Sequence, residues 1–136
     1  MVVRTRFAPS PTGSLHIGGL RTALYSYLHA RKHHGQFILR VEDTDRNRLV
    51  EGAVDALLRG LRWGGVLYDE GPDIGGPYGP YTQSERLSLY QPYAEQLIGR
   101  GQAYYCFCTP ERLDAMRQQQ IANKQPPRYD QRCRHL

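Results

Sequence analysis

An open α/β fold on a parallel sheet is what this 136-residue sequence predicts, and three observations carry the prediction. Val2 to Phe7 is a short apolar-rich run with β-branched residues, and the prolines and glycine of Pro9-Ser10-Pro11-Thr12-Gly13 stop it before a helical pattern begins at Leu20. Gln36 to Glu42 is a second, largely apolar run of strand length, the form of a parallel strand covered on both faces. Polar and charged residues then gather after both runs, at the edge where open α/β sheets bind ligands.

Taken in order, the first run puts Val3, Thr5 and Phe7 on one face of a strand and Val2, Arg4 and Arg6 on the other, so Arg6 reaches the loop. That loop offers hydroxyls from Ser10 and Thr12, an imidazole from His16, and main chain left open at Gly18 and Gly19. Amides at a helix start favour anions, and the set suits a triphosphate. Leu20, Ala23, Leu24, Tyr27 and Leu28 follow the spacing of a helix with one buried side. Arg31, Lys32, His33 and His34 complement the negative end of its dipole, and Gly35 is placed for a left-handed cap. Strand, helix and strand imply a right-handed crossover. Glu42 and Asp43-Thr44-Asp45-Arg46 then share an edge with Arg6.

Val50, Val54, Leu57, Leu58 and Leu61 describe a second amphipathic helix ending near Trp63 and Gly64. Asp69 to Tyr81 is too rich in Gly and Pro for regular structure, and a loop of that length inside a compact domain is usually functional or mobile. Ser84 is expected to cap a third helix through Leu87, Tyr90, Tyr93, Ala94, Leu97 and Ile98, kinked or restarted at Pro92. Ala103 to Phe107 reads as a further strand. Thr109-Pro110-Glu111 opens a last helix, which Pro126 and Pro127 end.

A net charge of +5 and a pI near 9.3 point to an anionic partner such as nucleic acid or nucleotide. No apolar run approaches the roughly 18 residues of a membrane span, and no signal pattern opens the chain, so a cytoplasmic protein without membrane contact is expected. Three cysteines make no disulfide framework. Cys106-Phe107-Cys108, 24 intervening residues and Cys133-Arg134-His135 form two ligand pairs. Four such ligands suit a closed, structural zinc site, with free thiols as the plain alternative.

Phe7-Ala8-Pro9-Ser10-Pro11-Thr12-Gly13 followed by Leu15-His16-Ile17-Gly18-Gly19 resembles the first signature of class I aminoacyl-tRNA synthetases in its glutamyl form. Leu39 to Arg46 and Gly79 to Arg86 are similar to two further stretches of the glutamyl-tRNA synthetases of bacterial type, in the same order. The resemblance implies the first half of a Rossmann-like parallel-sheet nucleotide-binding domain over residues 1–102. Over residues 103–136 it implies the start of an acceptor-stem-binding insertion with a zinc knuckle. It further implies glutamate–tRNA ligase activity: L-glutamate is activated by ATP, with Mg2+, and transferred to the 3′ end of tRNA(Glu) by a monomeric enzyme.

Within that resemblance, Arg6, Ser10 and Glu42 would hold glutamate. Thr12, His16, Gly18 and Gly19 would meet ATP, with His16 stabilising phosphate charge at the transition state. Cys106, Cys108, Cys133 and His135 would bind structural Zn2+. Arg112, Arg117, Lys124, Arg128, Arg132 and Arg134, interleaved with tyrosines, would face RNA. Gly19 departs from the wider class, which carries a second histidine there. Plainer roles exist for the same residues: His16 as a helix-terminal residue bonded to the loop, and Arg6 with Glu42 as an ion pair across strand ends.

The family's phosphate-clamping loop, second half-sheet and anticodon-binding helices have no counterpart here, so an N-terminal portion of a ligase is expected, of low stability and open activity alone. Two other readings stand beside it. One is the paralogue that makes glutamyl-queuosine on tRNA(Asp); the other is an RNA-binding module without catalysis.

Overall fold

The computed structural model describes residues 2–45 and 48–136. Arg46, the last residue of the second motif, lies outside the described residues, as do Met1 and Asn47. Two compact units are present, Met1–Ser88 and Leu89–Leu136. Among the described residues, no helix is long and apolar enough to cross a membrane.

In the first unit β1 (Arg4–Phe7) and β2 (Gln36–Leu39) pair in parallel, with Arg4 opposite Gln36 and Phe7 opposite Leu39. Between them runs α1 (Ile17–Lys32), which starts three residues before the expected Leu20. The ladder continues past both strands: the Arg40 amide donates to Phe7 O and the Glu42 amide to Pro9 O. On its other side β2 is bonded to two pieces of the Gly- and Pro-rich stretch. Leu39 N donates to Glu70 O and Val41 N to Tyr81 O, making parallel bridges from Ile38 to Glu70 and from Val41 to Thr82. The stretch expected to be wholly irregular thus supplies the far edge of the sheet.

Alternation decides the two faces. Phe7, Phe37 and Leu39 point into a core closed by Ala23 and Ala30 of α1 and by Leu57, Leu58 and Leu61 of α2 (Ala53–Trp63). Complete burial of Phe37, Leu39 and Leu61 contributes about 1.5–3 kcal/mol each. The α1 stripe is only half used, for Leu24 and Leu28 are exposed. Arg4, Arg6, Ile38 and Arg40 alternate onto the other face, which carries the site.

Two details of the helix ends differ from expectation. His34, not Gly35, takes the left-handed conformation (φ 50°). Gly35 is needed for space instead, because a Cβ there would overlap the Val3 carbonyl, which accepts the Gln36 amide as the strands begin to pair. Ser84 caps no helix. Its amide and hydroxyl donate to the Asp43 carboxylate at 2.8 and 2.6 Å, and a 3-10 turn over Gln83–Arg86 leads directly into α3 (Leu87–Gly99), which runs through Pro92 without a break.

In the second unit α4 (Pro110–Ala122) starts as predicted, with Thr109 Oγ1 accepting the Arg112 amide and Pro110 in the first turn. Residues 103–107 form no strand. A strand needs a ladder partner, and these residues have none among the described elements. The Cys106 thiol and the Phe107 amide donate instead to Tyr129 Oη and Cys133 Sγ.

Candidate functional site

The ligand edge of the first unit is built from the ends of β1 and β2 and the start of α1. His16 is the N-cap of α1, in extended conformation, and its Nδ1 accepts the amides of Gly18 and Gly19 at 3.1 and 3.3 Å. A helix start leaves such amides without partners, and the imidazole meets two of them. With Nδ1 accepting, the neutral ring carries its proton on Nε2, so the exposed edge of His16 is a donor. A Cβ on Gly18 would stand 3.0 Å from the His16 ring, so the glycine makes room for the cap itself. The open main chain expected at Gly18 and Gly19 is therefore occupied by His16, and what the helix start presents outward is imidazole N–H.

Ser10, Thr12 and His16 line one small hollow of about 220 Å³ with Gly13, Ser14, Leu15 and Leu57. The Thr12 amide donates to Ser10 O at 2.9 Å, which fixes the tight turn of the loop. Arg6 lies outside that hollow, on the arginine face of the sheet, where it lines a second one of about 260 Å³ together with Arg4, Arg40, Arg86, Tyr78 and Tyr81. Its Nη1 stands 3.7 Å from Glu42 Oε1, close enough for attraction and too far for a hydrogen bond. Arg40 Nη2 is 2.8 Å from the same oxygen. The sequence-predicted residues thus form two neighbouring groups, a loop-and-imidazole group and an arginine-carboxylate group.

Three contributors on this face, Glu70, Tyr81 and Arg40, were not singled out as site residues in the sequence. Glu70 is almost completely buried and is held between the Arg4 guanidinium at 2.6 Å and the Tyr81 hydroxyl, which donates to it. The Arg4 guanidinium paired with it keeps the Glu70 carboxyl below its ordinary value of 4.5 despite burial, while burial and the bond to Glu70 push the Tyr81 phenol up. Arg4 also lies over the Tyr78 ring, 4.6 Å from its centroid. Arg40 is the third contributor. Only a strand position marked it in advance.

In the second unit the Sγ atoms of Cys106, Cys108 and Cys133 all lie within 4.8 Å of one another, with Cys108 and Cys133 3.6 Å apart. Three sulfurs around one tetrahedral zinc stand roughly 3.8 Å apart, given Zn–S bonds of about 2.3 Å. The donor set and its spacing fit that ion. His135 is not part of the cluster and lines a separate hollow with Gly101 to Tyr104 and Arg134. The Tyr129 hydroxyl lies against the three sulfurs: the Cys106 thiol donates to it at 3.4 Å, Cys108 Sγ is 3.5 Å away, and the Cys133 amide donates to it at 3.1 Å. Hydrogen bonding to Tyr129 and from the Phe107 amide lowers the Cys133 thiol to about 7, while bonding to the three cysteines pushes the Tyr129 phenol up and the Cys108 thiol is also raised. Tyr129 was read in the sequence only as an aromatic residue among arginines.

The chain matches, over residues 2–136, the family described as tRNA synthetases class I (E and Q), catalytic domain. It is 60% identical over 134 residues to a glutamate–tRNA ligase of Dehalococcoides mccartyi, covering 98% of this chain and 28% of that protein. It is 62% identical over 131 residues to one of Clostridium botulinum, covering 96% and 27%. A crystal structure of a glutamate tRNA ligase from Elizabethkingia meningosepticum in complex with its amino acid superposes with a TM-score of 0.86 at 51% identity, over 92% of this chain and 25% of that one. The chain thus spans little more than a quarter of the length of the relatives it matches.

Proposed function

Because the chain belongs to the class I tRNA synthetases of the E and Q type, we propose that it carries the amino-acid-activating edge of a glutamate–tRNA ligase. The observation that carries this reading is the opposed pair at the strand ends, Arg6 and Glu42, 3.7 Å apart and not hydrogen-bonded. A guanidinium and a carboxylate held slightly apart are complementary to an amino acid that brings a carboxylate and an ammonium. Ser10 supports the same ligand from the loop.

In the activation step an oxygen of the glutamate α-carboxylate attacks the α-phosphorus of ATP, which enters as its magnesium complex. The bond to the bridging oxygen breaks and pyrophosphate leaves with the electron pair. His16 Nε2–H and the Thr12 hydroxyl lie where the nucleotide would pass the helix start, and a donor preorganised by the Gly18 and Gly19 amides stabilises phosphate charge as it grows. The glutamyl carbonyl then passes to a ribose hydroxyl at the 3′ end of tRNA(Glu), and AMP leaves. Residues 1–102 serve the first step. Residues 103–136 serve the tRNA, through Arg117, Lys124, Arg128, Arg132 and Arg134. Cys106, Cys108 and Cys133, with the Tyr129 hydroxyl, would hold structural zinc, which ties the loop after Ala103 to the C-terminal turn. A monomeric, cytoplasmic protein goes with this reading.

Glutamate-dependent, tRNA-supported exchange of pyrophosphate into ATP tests it. Exchange that requires glutamate is the expected result. Tight tRNA binding with neither glutamate binding nor exchange would identify an inert RNA-binding module. Charging that survives removal of the 3′-terminal adenosine would identify a base-modifying paralogue.

A further inference from the structure

We infer that Arg40 is a positioning residue of the glutamate site, holding Glu42 in the one orientation that leaves a carboxylate oxygen for the substrate ammonium; this rests on the reading of Arg6 and Glu42 given above. Arg40 and Glu42 are two residues apart on the extended continuation of β2, so their side chains leave the sheet on the same face. Both amides are anchored in the ladder, to Phe7 O at 3.0 Å and Pro9 O at 2.9 Å. From there Arg40 Nη2 reaches Glu42 Oε1 at 2.8 Å. The second oxygen, Oε2, has no hydrogen bond among the described residues.

The two arginines around Glu42 are not equivalent. Arg6 is 48% exposed and 3.7 Å from the carboxylate, whereas Arg40 is 22% exposed and within bonding distance. A substrate carboxylate can draw Arg6 away, and the substrate ammonium then replaces it beside Glu42. Arg40 stays. Without it, Glu42 would lose its orientation at the moment the ammonium arrives. Arg40 also buries an Nε–H that has no partner among the described residues. A buried donor left unmet weakens a fold, so packing alone is a poor reason for an arginine at this position.

The comparison that tests this uses two ligands, L-glutamate and glutarate, which shares both carboxylates and lacks the ammonium. Their affinities for the full 136-residue chain and its variants are measured by calorimetry, with thermal unfolding as the check on folding. Arg40→Met should weaken L-glutamate about tenfold and change glutarate less than about twofold, and Arg40→Lys should recover part of the loss, because a lysine can still bond the carboxylate. Arg6→Ala should weaken both ligands. Equal loss of both ligands in Arg40→Met, or no loss of either, overturns the positioning role while leaving the Arg6 and Glu42 site standing. If the unsubstituted chain binds neither ligand, or if Arg6→Ala and Glu42→Gln bind as it does, the glutamate reading falls and this inference falls with it. Should Arg40→Met fail to fold, Arg40→Leu, which also removes the contact with Glu42, carries the same comparison: a loss confined to L-glutamate supports the role, and equal affinities to the parent overturn it.

Discussion

At His16 the two ring nitrogens have separate tasks, and substitution can part them. Nδ1 caps α1 by accepting two amides, while Nε2 carries the outward proton. Asparagine is as good an N-cap as any residue, and its side-chain oxygen can replace Nδ1, but it has no donor where Nε2–H stands. His16→Asn should therefore keep the thermal midpoint within a degree or two and lower glutamate-dependent exchange by about a hundredfold, the scale of one lost transition-state donor. His16→Ala should lose the cap as well, at about 1 kcal/mol. Equal activity in His16→Asn and the parent would leave the imidazole a cap and nothing more. Glu70 allows a second separation, by pH. Its carboxyl is held below 4.5 in the folded state by Arg4, so its contribution is present above that value and disappears as the pH falls through the lower, folded value. Glu70→Gln should be less stable than the parent at neutral pH, and the gap measured by urea unfolding should narrow on the acid side of 4.5.

The elements around the site were legible to different degrees, for reasons that lie in how each is held. The strand, loop and helix from Val2 to Lys32 follow from alternation, breakers and period, all of them local. The parallel pairing of β1 with β2 followed from the helix between them. Nothing local marks Glu70, because a Gly- and Pro-rich loop has no period, and its acid is buried only by pairing with Ile38 and Arg4. The strand expected at residues 103–107 failed for the opposite reason: its aromatic-rich run had the right local composition and no partner strand. Gly35 was read correctly as special, for the wrong geometry. Its role is to let β2 begin against Val3, so Gly35→Ala should push the strands apart at their first paired residues and cost about 2–3 kcal/mol, in the range of overpacking. Loss of amide protection at Gln36 and Arg40, with α2 unaffected, is the expected hydrogen-exchange signature.

At the scale of the molecule, the two units have different sources of stability. Met1–Ser88 has a continuous apolar core, whereas Cys133 is the sole buried residue among those described in Leu89–Leu136. A segment of that size with almost no buried apolar surface cannot offset the entropy of ordering its chain, and small domains in that position depend on a staple. The cluster of Cys106, Cys108, Cys133 and Tyr129 is the candidate; cysteine spacing in the sequence marks the three thiols, with His135 as the expected fourth ligand, and does not mark Tyr129. The physical reason is that a neutral phenol among arginines carries no metal signal until its oxygen is seen against three sulfurs. Zinc content therefore gives the decisive measurement. The purified chain should hold one equivalent. Cys108→Ser should release it, and His135→Ala should retain it. Tyr129→Phe should bind zinc more weakly than the parent while keeping the thiolates. Chelation should collapse the amide dispersion of residues 89–136 and leave the core signals of Phe37, Leu39 and Leu61 in place, since those side chains are buried within the first unit. Loss of zinc in His135→Ala, with retention in Tyr129→Phe, would return the fourth place to the histidine and require the last turn, Arg132–His135, to refold around the ion.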